Sequence, residues 1–176
     1  MVIAAFYLLL KRRLLFSTLL FAISLYVKAS LLIFLPIFVV VVWKQKYRFI
    51  EISNAIVASF LTIMLFTLPF APKNPQEWLF SIYKDKVFTQ QLHVITANAF
   101  NIWAALTGIR ERPDSITIGP FTYQLLGYFL FGASMILPLY KIYKKQDSRT
   151  LYSVLSITSF VSFMVVPKNC LFGNHL

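Results

Sequence analysis

LLFSTLLFAISLYVKASLLIFLPIFVVVVW, residues 14–43, decides how this chain folds. Thirty residues pass with a single charge, Lys28, near the middle. Lys11, Arg12 and Arg13 precede the stretch, and Lys44, Lys46 and Arg48 follow it. Basic flanks favour the cytoplasmic side of a membrane, and one straight helix cannot place both of its ends there. A helical hairpin can, with Lys28 at the far turn. The arms, residues 14–27 and 29–43, would each be about 21–22 Å long at the α-helical rise, short for a full crossing. Two readings of Lys28 stand at this point. A lysine held within membrane depth costs roughly 2.5–3.5 kcal/mol on insertion scales and marks a functional position. A lysine that snorkels to the far headgroups marks nothing beyond the turn.

The rest of the composition agrees with a membrane setting. Of 176 residues, 59% are hydrophobic, 18 are Phe and 13% are charged; soluble domains are about 45–50% apolar and about 25% charged. The net charge of +11 comes from short basic clusters between apolar runs. That is the pattern of membrane loops and not of a nucleic-acid surface. The single Cys170 excludes an intramolecular disulfide, and His93 and His175 have no metal-binding spacing, so neither metal nor cofactor is expected.

Further apolar segments are expected at residues 1–10, 52–71, 120–140 and 150–167. The first is half a span in length. The expected class is therefore all-α, a polytopic transmembrane bundle forming one domain over residues 1–176, multi-pass in a plasma or inner membrane. Asn74-Pro75-Gln76-Glu77 reads as a helix start: an Asn cap, Pro at the first position and Glu three residues after the cap. The helix it opens places Trp78, Leu79, Ile82, Tyr83 and Val87 on one face, suited to lying at the membrane interface. Residues 87–109, VFTQQLHVITANAFNIWAALTGI, are uncharged but are interrupted by Gln90, Gln91, His93, Asn98 and Asn101. If this stretch does not cross, ten of the 17 basic residues fall on the cytoplasmic side and six on the other, with Lys28 set aside. If it crosses, the split is nine to seven. The first arrangement fits the positive-inside rule better, and it leaves residues 73–119 as one long external region.

Two of these pieces resemble the multi-spanning glycosyltransferases of the GT-C class. Bacterial members show a similar apolar arm, a Lys, and a second arm with Pro, here Lys28 and Pro36. Ala97-Asn98-Ala99-Phe100-Asn101-Ile102-Trp103 is similar to an NAFNLW stretch of bacterial members. It is more loosely similar to a VANFW stretch in the dolichyl-phosphate-glucose glucosyltransferases. The resemblance implies mannosyl- or glucosyltransferase-like chemistry with a polyprenyl-phosphate sugar as donor, in contact with membrane lipid. Two departures accompany it. The class carries its catalytic acid on a first external loop that this sequence does not show. Related bacterial sequences continue with MHERY where residues 167–176 read PKNCLFGNHL. The expectation is thus an interior or C-terminal piece with a non-native end, inactive alone.

Inverting glycosyl transfer needs a carboxylate base at the acceptor hydroxyl and donors around the departing phosphate. No acid in the expected external region stands out. Glu77 reads as a cap, Glu111 and Asp114 as part of a solvated turn with Arg110 and Arg112, and Asp85 as a partner of flanking lysines. The base is left unassigned. The candidate binding residues are Gln91, His93, Asn98 and Asn101, whose polar groups suit sugar hydroxyls. Arg110 and Arg112 suit a lipid phosphate, and Lys28 completes the set. Against them stand helix-to-helix hydrogen bonding for the amides and general headgroup attraction for the arginines. A non-enzymatic transporter, flippase-like or anchoring subunit is the competing class. Broken helices and a midplane Lys also occur in transporters, although the sequence has no internal repeat.

Overall fold

The structure, a computed structural model, describes residues 1–82, 84, 102–107, 117–118 and 121–165. It is an all-α bundle. Helix α1 spans Val2–Leu10, α2 Leu14–Val27, α3 Leu35–Gln45, α4 Phe49–Thr67 and α5 Pro75–Ile82. Helix α6 spans Ile102–Thr107, α7 Tyr123–Lys144 and α8 Ser148–Val165. A two-strand ladder, β1 (Thr117–Ile118) with β2 (Phe121–Thr122), precedes α7. Helix α4 and residues Leu125–Lys144 of α7 are long and apolar enough to cross a membrane.

The chain does break at Lys28. Helix α2 ends at Val27, and Lys28 is extended, with φ −147° and ψ 97°. A 3₁₀ helix, Ala29–Phe34, then leads into α3. Pro36 explains that local tightening. It has no N–H to offer the carbonyl of Leu32, and the N–H of Leu35 takes that carbonyl through a shorter 3₁₀ bond instead. Pro36 itself sits in the first turn of α3, where a missing N–H costs little.

The reversal brings four aromatic rings together. Phe6 of α1 meets Phe21 of α2 edge-on at 5.9 Å, Phe34 at 6.5 Å and Phe38 of α3 at 5.7 Å. Phe21 and Phe38, on either side of the break, stack at 4.6 Å. Such pairs each contribute about 0.5–1.5 kcal/mol beyond their area burial. The core continues through Ala5, Leu9, Ile37 and Val41, and through Ile142, Leu151 and Val154 on α7 and α8.

Hydroxyls inside the helices are satisfied locally, as a surrounding without water requires. Thr18, Ser24, Ser59, Thr62 and Thr67 each donate to the carbonyl four residues back. Ser17 differs: its buried hydroxyl donates across to the carbonyl of Ala5 at 2.7 Å and ties α2 to α1. The outward faces of α4 and α7 are apolar. Phe49 is 85% exposed and Leu137 76%, an exposure that suits lipid and not water.

Hydrogen bonds show which turns share an end. Lys44 Nζ donates to the carbonyls of Tyr143 and Lys144, the latter at 3.0 Å. Gln45 Nε2 donates to Leu9 O at 3.0 Å, and Gln146 Nε2 reaches Val41 O at 3.5 Å. The turns α1–α2, α3–α4 and α7–α8 therefore meet at one end. They bring Lys11, Arg12, Arg13, Lys44, Lys46, Arg48, Lys141, Lys144, Lys145 and Arg149 against two acids, Glu51 and Asp147.

Two of these cations hold left-handed backbone, Arg12 at φ 58° and Lys46 at φ 52°. Arg12 closes α1 with paired bonds, its own N–H to Leu9 O and that of Arg13 to Leu8 O, both 3.0 Å. Glycine ordinarily fills that position, and a side chain there costs about 1–2 kcal/mol.

Helix limits differ from the hydropathy reading in ways the caps explain. Helix α4 starts at Phe49 instead of residue 52, because Glu51 accepts from the N–H of Arg48 at 2.8 Å. It ends at Thr67, short of residue 71, as Pro69 disfavours helix at the residue before it. Helix α7 starts at Tyr123, where Thr122 Oγ1 accepts from Leu125 N at 3.2 Å, and runs on to Lys144, beyond residue 140. Lys141 and Lys144 suit its C-terminal dipole. Asp147 caps α8, accepting from Thr150 N at 3.3 Å.

Two outcomes follow from this packing. Phe6→Ala is expected to destabilise the bundle in detergent by about 3–5 kcal/mol, whereas Phe60→Ala, at a position 50% exposed, is expected to stay within about 0.5 kcal/mol; thermal melts of both variants check this. Hydrogen bonds from Thr150 hold the Asp147 carboxyl below its ordinary range. Its contribution is therefore complete above the ordinary Asp value and is lost as pH falls through the lowered one. Amide protection over residues 148–151 should fall in that acid window, and Asp147→Asn should remove the dependence while keeping an acceptor.

Candidate functional site

The end of the bundle opposite the basic turns is built from different material. Thr67 Oγ1 lies 3.5 Å from the hydroxyl of Tyr26 there, joining the end of α4 to that of α2. The break at Lys28 lies at the same end. Beside it opens a cleft of about 470 Å³ lined by Met1, Val2, Ile3, Ser24, Val27, Lys28, Leu31, Phe34, Leu155, Ser156 and Ser159. Helices α1, α2 and α8 and the 3₁₀ helix supply its walls.

Most of this lining is apolar, and its polar groups are few and distinct. Lys28 stands just beyond the last helical residue of α2, with its side chain exposed on the bundle. Ser24 donates its proton to Leu20 O at 2.7 Å, and Ser159 donates to Leu155 O at 3.0 Å. Both hydroxyls are left with lone pairs, which accept. A cation beside two acceptor hydroxyls on apolar walls suits an amphipathic ligand that carries an anionic group and hydroxyl donors.

The described carboxylates are committed elsewhere. Glu51 caps α4 and Asp147 caps α8. Glu77 accepts from Asn74 Nδ2 at 2.9 Å at the start of α5, a pairing of two side chains where a bond from a backbone N–H was expected. None of these three lines the cleft. Among the described residues no cluster of His, Cys, Asp or Glu is gathered as a metal site would need.

Of the sequence-derived candidates, the cleft holds Lys28. Gln91, His93, Asn98, Asn101, Arg110 and Arg112 lie outside the described residues, as do Tyr83, Asp85, Val87, Glu111 and Asp114. Helix α5 shows the expected face as far as Ile82: Trp78, Leu79 and Ile82 are half-buried, and Glu77 and Ser81 are exposed. Trp78 stacks on Phe70 at 5.8 Å. Trp103 lies in the short helix α6. It is only 1% exposed, and its Nε1 donates to Val165 O at 2.6 Å. An indole N–H needs an acceptor when buried, and the last turn of a helix has carbonyls to spare. Trp103 thus pins α6 to the end of α8.

Sequence reasoning passed over Ser24, Ser156 and Ser159. A signal existed, since Ser156 and Ser159 are three apart on one helical face and Ser24 lies four residues before Lys28. Serines in apolar helices mostly bond their own backbone, however, and α8 lies some 130 residues downstream, so the pairing is tertiary.

Comparison with known proteins adds one positive finding. A search of curated proteins returns no match, and neither does a search of solved structures. The profile of one family, described as ALG3 protein, matches residues 1–98 of the 176. That portion covers the break at Lys28, the turns α1–α2 and α3–α4, and helices α4 and α5. With more than half of its length matched, the chain belongs to the ALG3 protein family of membrane glycosyltransferases.

Proposed function

We propose that the chain is part of an integral membrane glycosyltransferase that transfers a hexose from a polyprenyl-phosphate donor at the non-cytoplasmic face, with the cleft beside Lys28 receiving the donor. The observation that carries this reading is the family match over residues 1–98, which includes the bend that forms the cleft. The family uses a lipid-linked sugar donor. Such a donor has three parts, and the cleft offers a partner for each. Val27, Leu31 and Phe34 suit the isoprenoid chain. Lys28 suits the phosphate. The acceptor lone pairs of Ser24 and Ser159 suit sugar hydroxyls.

Sidedness is argued from charge. The basic end belongs on the cytoplasmic side by the positive-inside rule, so the cleft, at the other end, opens away from it. Residues 73–119 follow α4 on that same side in this reading. Their amides and arginines are proposed to complete the site. Gln91, His93, Asn98 and Asn101 would hold sugar or phosphate, and Arg110 and Arg112 would offset phosphate charge as the sugar leaves. The base that deprotonates the acceptor is assigned to a carboxylate other than Glu51, Glu77 and Asp147, since none of those lines the cleft and Glu51 and Asp147 cap helices at the basic end.

A transfer assay on membranes that contain the full-length transferase tests this, with a polyprenyl-phosphate-linked mannose or glucose as donor, and the chain alone is expected to show no transfer. Losing a charge-assisted hydrogen bond of about 1.5–3 kcal/mol implies about a ten- to hundredfold loss of kcat/KM for Lys28→Met. Asn98→Ala and Asn101→Ala should lower turnover with membrane insertion intact. Unchanged transfer in all three variants would remove the cleft and the amides from the reaction.

A further inference from the structure

The basic end is more than a collection of loop charges. Leu9 O accepts two bonds at 3.0 Å, from the N–H of Arg12 and from Nε2 of Gln45. The turn that ends α1 is thereby tied to the turn that ends α3. Tyr47 closes the same knot, with its hydroxyl donating to Gln45 Oε1 at 2.6 Å. Arg12 and Lys46 lie on these adjoining turns, and both occupy left-handed positions that glycine would fill without strain. The fold thus holds two cations where the backbone alone would favour no side chain, and strain of this kind gathers at functional sites.

The depth of this surface is set by its neighbours. Trp43 is 78% exposed and Phe49 85%, each three residues from Lys46 in sequence, so large apolar rings stand at the same end of the bundle as the cations. The outward apolar face of α4 continues from Phe49 toward the other end of the bundle. A soluble acidic partner would cover the rings at this end but not the apolar face of α4 that runs on from them. A lipid leaflet uses both layers, tails against the rings and headgroups against the cations.

We propose that the end of the bundle built by the α1–α2 and α3–α4 turns is a recognition surface for anionic phospholipid headgroups, with Arg12 and Lys46 as principal contacts. The proposal does not rest on the transferase reading and is tested without a transfer assay. Charge complementarity supports it: the three basic turns carry ten cations against two acids. Left-handed closure of both turns fixes the two backbones, so little ordering is lost when a headgroup binds.

The test uses the full chain in a neutral detergent, with native mass spectrometry reading retained lipid during titration with phosphatidylglycerol or phosphatidylcholine. Phosphatidylglycerol should be held preferentially, and Arg12→Gly with Lys46→Gly should reduce that preference about fivefold per cation. Glycine suits both positions, so the double variant should melt no lower than the parent; if it does, Arg12→Asn with Lys46→Asn, which also tolerates left-handed backbone, is read in its place. Lys73→Gln with Lys84→Gln removes the same charge away from these turns and should leave the preference intact. Three outcomes overturn the proposal: equal retention of the two lipids by the parent, an equal loss in the Lys73/Lys84 variant, or displacement of phosphatidylglycerol by a polyglutamate peptide at matched charge. The last would assign the surface to an acidic protein.

Discussion

Everything in this bundle depends on Phe6 being enclosed by rings from both sides of the Lys28 break. Phe21 and Phe38 stack only because the chain reverses between them. Phe6 then closes the cluster from α1 with three edge-on contacts. In a lipid surrounding, helices gain little from the hydrophobic effect against one another, and close packing with a few hydrogen bonds carries association. Interlocked aromatic rings and the Ser17–Ala5 bond are the described α1–α2 contacts that meet this requirement. Once α1, α2 and α3 are fixed, their ends are fixed as well. Lys44 and Gln146 then bind the α7–α8 turn to the same end.

This gives the molecule two unlike ends. One carries the basic turns, tied by Gln45, Tyr47 and Lys44. Burial raises the Tyr47 phenol, opposed in part by Arg12 and reinforced by Glu51, so the phenol stays protonated and keeps donating to Gln45. The other end carries the break at Lys28, the cleft, the Thr67–Tyr26 contact and the Trp103–Val165 bond. A transferase that takes a lipid-linked donor needs this asymmetry: a fixed orientation in the bilayer and an opening at one headgroup layer that is reached from the apolar side.

Much of the architecture was legible in the sequence. Basic clusters flanking residues 14–43 argued for a bend, and Lys28 marked where it falls. The start of α5 at Asn74-Pro75 was readable because helix starts are local chemistry. Limits of α4 and α7 were less so, as hydropathy does not register Glu51 reaching back to Arg48 or a helix that runs on through its own basic residues. The cleft was legible only at Lys28. Its hydroxyls come from α2 and from α8, and no spacing within one segment announces that these helices meet.

The central claim is that the three basic turns share one side of the membrane and the Lys28 bend faces the other. Single cysteines at Lys11, Lys46, Gln146, Lys28 and Lys73, in a Cys170→Ser background, measure this through labelling by an impermeant thiol reagent in sealed, right-side-out vesicles. The account predicts that Lys28→Cys and Lys73→Cys label while Lys11→Cys, Lys46→Cys and Gln146→Cys stay protected until the vesicles are opened. Labelling of Gln146→Cys together with Lys28→Cys, or of Lys11→Cys without Lys46→Cys, would contradict it.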